Sequence, residues 1–193
     1  ISIVNEYQNK FDKLTIISEK DNGIYDAMNK AISIAKGNWL YFMGSDDNLY
    51  ENNTLLKIVE LGDFKHYDIL YGNVYSTRFN GVYDGEYTID KNINKNICHQ
   101  AIFFRKEIFN KTGKFNLKYT AHADWDHNIK WFFNKRIKQQ YLDIIVANYA
   151  DGGFSSLHGD EVFRKDKLLL VLKRGLFVLP IRKVLKISKD LLK

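Results

Sequence analysis

Asp46 and Asp47 stand side by side behind a short apolar run, Trp39-Leu40-Tyr41-Phe42-Met43, and a Gly44-Ser45 turn. Adjacent carboxylates in a turn can hold a hard divalent cation whose other positions are filled by water and phosphate oxygens. A lone aspartate after a strand more commonly caps a helix or starts a turn, so position matters more than residue type. If the run is a strand, the pair lies at its carboxyl end, the edge at which open α/β sheets bind ligands. A second acidic string, His122-Ala123-Asp124-Trp125-Asp126 followed by His127, could be mistaken for a metal site. Spacing argues against it: Asp126 and Lys130 are one helical turn apart and are expected to form an exposed pair, with His127 solvated. Asp124 stands where a helix should begin, a position at which aspartates commonly cap. Asp26 has the same spacing to Lys30, and Asn29 shares its helix face. Cys98, the one cysteine, can form neither an internal disulfide nor, by itself, a thiolate metal site.

These residues need elements to carry them. A helix is expected over Ile1 to Phe11, leading into a strand from Leu14 to Ile17. Turn chemistry at Lys20-Asp21-Asn22-Gly23 precedes a helix with Ile24, Met28, Ala31, Ile32 and Ala35 at helical spacing, stopped by Gly37. The run from Trp39 to Met43 reads as a strand buried on both sides. A helix from Asn53 to Leu61, a strand from Asp68 to Tyr75 and a hairpin turn at Phe79-Asn80-Gly81-Val82 follow. Ala101 to Phe104 is a further short strand, and Asp124 to Phe133 a helix burying Trp125, Ile129, Phe132 and Phe133. Ile137 to Tyr149 is extended. From residue 161 the composition turns basic and leucine-rich, giving two amphipathic helices broken at Pro180, with Leu169, Leu172, Leu176 and Leu179 as one apolar stripe. The pattern is α/β moving toward a mixed sheet, divided into a domain at 1–160 and a helical tail at 161–193.

The segments Glu19-Lys20-Asp21-Asn22-Gly23-Ile24-Tyr25-Asp26-Ala27-Met28-Asn29-Lys30, Gly37-Asn38-Trp39 and Gly44-Ser45-Asp46-Asp47 occur in the order and spacing of glycosyltransferase family 2, which they resemble. Cys98-His99-Gln100, Ala123-Asp124-Trp125-Asp126 and Gly152-Gly153-Phe154-Ser155 extend the resemblance. It implies the GT-A fold, a mixed central sheet flanked by helices, and inverting transfer of a sugar from a nucleoside diphosphate sugar, UDP favoured, to a hydroxyl acceptor. It further implies Asp47 as ligand to Mg²⁺ or Mn²⁺, Asp46 toward the ribose, and Asp124 as the general base. Asp21, Tyr25, Asp26 and Asn29 then approach the donor nucleotide, and His99, Gln100, Trp125 and Gly153 lie on the acceptor side. Ala123 stands where an acidic residue often precedes the base. The family's opening strand, helix and strand would precede Ile1, so a truncated, non-catalytic or sugar-nucleotide-binding piece is the alternative.

With 45% hydrophobic residues and no low-complexity tract, the 193-residue chain can bury one sizeable core. Its net charge of +6 is compatible with nucleic acid, an anionic membrane or phosphorylated substrates. Ten Lys and Arg against two acids between Arg164 and Lys193 place the excess in the tail. Basic residues alternate there with leucines rather than base-stacking aromatics, so nucleic acid, which charge alone permits, is not the expected partner. A basic amphipathic segment can instead lie on a membrane surface where a saccharide or lipid-linked acceptor resides, or pack as an ordinary helix. No run reaches the roughly 20 apolar residues of a spanning helix, so the expected location is cytoplasmic, peripheral at the inner face of the membrane.

Overall fold

The computed structural model describes residues 4, 6, 7, 10, 11, 13–150, 158–176 and 178–191. The first described regular helix, α1 (Ile24–Ile34), starts at Gly23, whose φ of 109° suits glycine, and turns Tyr25, Met28 and Ile32 inward at helical spacing. Then come β1 (Trp39–Tyr41), β2 (Asn48–Leu49), α2 (Thr54–Leu61), β3 (Ile69–Ser76), β4 (Gly81–Tyr83) and α3 (Ile89–Asn94). The chain continues through β5 (Ile102–Arg105), α4 (Ile108–Thr112), α5 (Ala123–Phe132), β6 (Gln139–Asn148), α6 (Glu161–Gly175) and α7 (Ile181–Leu191).

The strands form one mixed sheet in the order β1-β5-β3-β6-β2. Among the described strands only β3 and β6 run parallel; β5 and β4 share the other edge of β3, facing its first and last three residues. As the central strand, β3 is buried on both faces. Ile69 and Tyr71 join the large cluster with α1 and α5, whereas Leu70 joins Ile58, Phe103 and Val146 on the opposite face. Gly72 lets β6 pass close by: a Cβ there would lie 2.7 Å from the Ile144 carbonyl oxygen, where the β3–β6 register also shifts. Asn80, left-handed at φ 55°, closes the β3–β4 hairpin at the expected turn.

The structure departs from the sequence expectations in several places. Residues 14–20 form no strand, and Ile16 and Ile17 are exposed; apolar residues alone do not make a strand without a partner edge. Most of the helix expected over 1–11 falls outside the described residues. β1 stops at Tyr41 and pairs only with β5, so Met43 is exposed rather than buried. Asp126 and Lys130 do pair, at 2.6 Å, but in the interior, with Asp126 1% exposed. His127 is likewise buried, stacked on Phe109 at 4.9 Å, because α5 packs between α4, α3 and α6 and has little solvent face. Leu169 and Leu176 are exposed; α6 turns Phe163, Leu170 and Val171 inward, a stripe set by packing on α5. The break before Pro180 is as expected, and α6 packs on both α5 and α7.

Candidate active site

A cavity of about 470 Å³ opens where several element ends meet. The start of α1 brings Tyr25, the loop after β1 brings Asp46 and Asp47, and the short 3₁₀ turn His99–Ala101 brings His99 and Gln100. The start of α5 adds His122, Asp124 and Trp125, and Asn96, Arg78 and Lys95 complete much of the wall.

Asp124 is the second residue of α5, not its N-cap; that position belongs to His122. Its Oδ1 accepts hydrogen bonds from the Tyr25 hydroxyl at 2.8 Å and the Trp125 N–H at 2.8 Å. Asn96 Nδ2 donates to Oδ2 at 3.0 Å, and His99 Nδ1 lies 3.7 Å from the same oxygen. Burial alone would push this carboxyl up. His99 foremost, then Tyr25 and the Trp125 N–H, outweigh it and hold the group below the usual carboxylate range, so it is an anion. Tyr25, pushed well up by burial and then by the charge of Asp124, stays a neutral donor.

Asp47 is fixed from three sides. Gln100 Nε2 donates to its Oδ2 at 2.8 Å, the Gly44 N–H to the same oxygen at 3.1 Å, and the Ala150 N–H to Oδ1 at 3.3 Å. Asp46 beside it is exposed. Both carboxylates fold back over Gly44: a Cβ at that position would lie 2.8 Å from Asp47 Oδ2 and 3.0 Å from Asp46 Oδ1. Two hard oxygen donors thus converge where any larger residue would part them, which fits Mg²⁺ or Mn²⁺. Among the described residues no cluster of three or more acidic, histidine or cysteine side chains is suited to a metal. The adjacent His99 and Gln100 link the two centres, one facing Asp124 and the other holding Asp47.

The remaining residues singled out from the sequence lie elsewhere. Asp21 accepts the Gly23 N–H at 3.0 Å, and Asp26 accepts the Asn22 N–H at 3.0 Å and pairs with Lys30 at 3.5 Å. Asn29 clamps Phe115 through both its N–H and its carbonyl, each at 2.9 Å. None of these three lines the cavity. Gly153 lies outside the described residues. Two features were not read from the sequence. A buried amide chain runs from Trp131 Nε1 to Asn128, from Asn128 to Asn96, and from Asn96 to Asp124, in steps of 2.9, 2.8 and 3.0 Å. Asp160, buried at 7% exposure, caps α6 by accepting the Phe163 N–H at 2.9 Å and also accepts the Ala121 and His122 N–H groups at 3.0 and 3.2 Å. An aspartate opening a helical pattern signals the cap; nothing in the sequence signals the contact across the fold.

The model of glycosyl transferase family 2 matches residues 1–141. The chain belongs to glycosyl transferase family 2. Two relatives named PGL/p-HBAD biosynthesis glycosyltransferase, from Mycobacterium bovis (strain BCG / Pasteur 1173P2) and Mycobacterium tuberculosis (strain ATCC 25177 / H37Ra), are 40% identical over 157 residues. That match takes in 80% of this chain and 61% of each relative, so the chain spans less than two thirds of their length. Among solved structures, S. aureus TarS 1-349 in complex with UDP-GlcNAc superposes with a TM-score of 0.74 at 20% identity, over 99% of this chain and 58% of that one. The complex of the same protein with UDP gives 0.69 at 19% identity, over 99% and 57%. The mixed sheet and the seven α-helices among the described residues accordingly match the GT-A fold.

Proposed function

We propose that the protein moves a sugar, with inversion, from a nucleoside diphosphate sugar to a hydroxyl acceptor in the assembly of a cell-surface glycan. The observation that carries this reading is one cavity holding both an ionised, well-oriented Asp124 and the convergent Asp46-Asp47 pair. Membership of family 2 and relatives named for PGL/p-HBAD biosynthesis support it, and a UDP-sugar donor is favoured because TarS was solved in complex with UDP-GlcNAc and with UDP.

In this reading the acceptor hydroxyl donates a hydrogen bond to Asp124. As its oxygen attacks the anomeric carbon, the proton passes to the carboxylate and the bond to the diphosphate breaks on the opposite face, inverting the configuration. Tyr25, Asn96 and the Trp125 N–H keep that carboxylate aimed and unprotonated. Asp47 would hold Mg²⁺ or Mn²⁺, with Asp46 toward the donor's ribose; the ion, when bound, neutralises charge developing on the leaving diphosphate. Donor contacts by Asp21, Asp26 and Asn29, and acceptor contacts by His99, Gln100 and Trp125, belong to the same proposal. So does a contact of 161–193 with a membrane surface, since Leu169, Leu176, Ile181 and Leu185 are exposed among basic residues.

Asp124→Asn keeps the shape and removes the base. It should bind UDP in the presence of Mn²⁺ as the parent does and lose at least 10²-fold in turnover of the donor sugar. Unchanged turnover would sink the assignment of the base.

A further inference from the structure

A second cavity, of about 390 Å³, lies against the first: His122 and Trp125 line both. It contains none of the residues assigned to metal or donor, and its other walls come from the start of α6. Three rings form its lining, His122, Trp125 and Phe163, with centroids 5.4 to 5.7 Å apart. Lys167 projects over the Trp125 ring, its Nζ 3.8 Å from the centroid.

The acids and bases of the lining balance in number, Asp160 and Glu161 against Arg164 and Lys167, but neither carboxylate is paired with Lys167. Asp160 gives its carboxylate to three backbone N–H groups. Glu161 is taken up by Arg164, at 2.8 Å, and by Lys165. His122 supplies no negative charge. Among the described residues no carboxylate lies within ion-pair distance of the Lys167 ammonium, and burial draws its pKa down to about 8. A half-buried lysine on an aromatic face, with no carboxylate in contact, leaves a cationic site that an anion can complete.

Building on the transferase reading above, we propose that this chamber seats the acceptor, and that the acceptor carries an anionic group, such as a phosphate, next to a ring. The anion would pair with Lys167 and the ring lie against Trp125 and His122, placing a neighbouring hydroxyl at the mouth shared with Asp124. The hydroxyl then enters from the side away from the Asp46-Asp47 pair, as an in-line displacement requires.

Phenyl phosphate is the probe, and the indole N–H resonance of Trp125, assigned with Trp125→Phe, is the readout on the full chain. Saturable shifts are expected, with inorganic phosphate and phenol at least ten-fold weaker. Lys167→Met removes an unpaired charge and should fold at least as well as the parent, yet weaken phenyl phosphate ten-fold or more. Affinity should fall as pH rises from 7 to 9, because the ammonium loses its proton across that range. Equal affinity in Lys167→Met, binding of phosphate alone as tight, or no effect at Trp125 would overturn the proposal. UDP with Mn²⁺ is titrated into the same samples: UDP binding without a phenyl phosphate response refutes the chamber alone, whereas the reverse keeps the chamber and refutes the donor site.

Discussion

Asp124 and His127 lie three positions apart on α5, both buried, and their surroundings keep one an anion and the other neutral. Four polar groups face the Asp124 carboxylate and keep it an anion. His127 sits among Phe104, Phe109 and Phe115 with Thr112 Oγ1 at 2.8 Å from Nε2. Burial first, then the Lys130 charge, lowers its pKa to about 3, so it is neutral in the fold. The unfolded chain takes up this proton near pH 6.5, whereas the folded protein refuses it until about 3. Stability from this site is therefore complete above about pH 6.5 and is lost as pH falls from there to about 3, by at most about 1.4 kcal/mol per pH unit. Denaturation of His127→Phe should show a shallower decline between pH 6.5 and 4; an identical slope would place the acid sensitivity elsewhere. The sequence displayed the residue types at these positions but not their environments. Spacing on a helix shows which residues share a face, yet Asp126 and His127, read as solvent-facing, are covered by elements distant in the chain.

Among the elements, α6 has the largest unexpected role. Read from the sequence it is a tail. In the fold its capping Asp160 also ties down the Ala121–His122 backbone, immediately before the helix that presents Asp124. Asp160→Ala leaves three N–H groups without their acceptor and should cost about 2–4 kcal/mol in chemical denaturation, with Asp160→Asn restoring part of it. A loss under about 0.5 kcal/mol for the alanine variant would mean that water replaces the carboxylate without penalty. Local signals located most helices and strands to within one or two residues, because helical spacing, buried apolar runs and turn residues such as Asn80-Gly81 act over short range. They failed for residues 14–20, where strand character depends on a partner edge, and at Gly72, whose need for glycine comes from Ile144 more than 70 positions away.

Over the whole molecule, strand order was not legible: the sequence suggested a mixed sheet, but only the fold shows β6 parallel to β3 and β5 beside β1. The resemblance to family 2 singles out Asp46, Asp47 and Asp124, distant in the chain, and the structure brings all three to one cavity. Charge is also arranged on this scale. No described helix is long and apolar enough to cross a membrane, but exposed Ile181 and Leu185 on α7 lie among Arg182, Lys183, Lys186 and Lys189. Vesicles containing anionic lipid should co-sediment with the chain at low salt and release it as ionic strength rises, whereas replacing those four basic residues with Glu should abolish binding. Binding equally to neutral vesicles would remove the electrostatic part of that account. The central claim, that Asp47 supports a metal-dependent donor site beside the base Asp124, is tested most directly by calorimetric titration of UDP with and without Mn²⁺. The parent should bind UDP at least ten-fold more tightly with Mn²⁺, and folded Asp47→Ala should lose that gain; metal-independent binding, or an undiminished Mn²⁺ effect in Asp47→Ala, would contradict it.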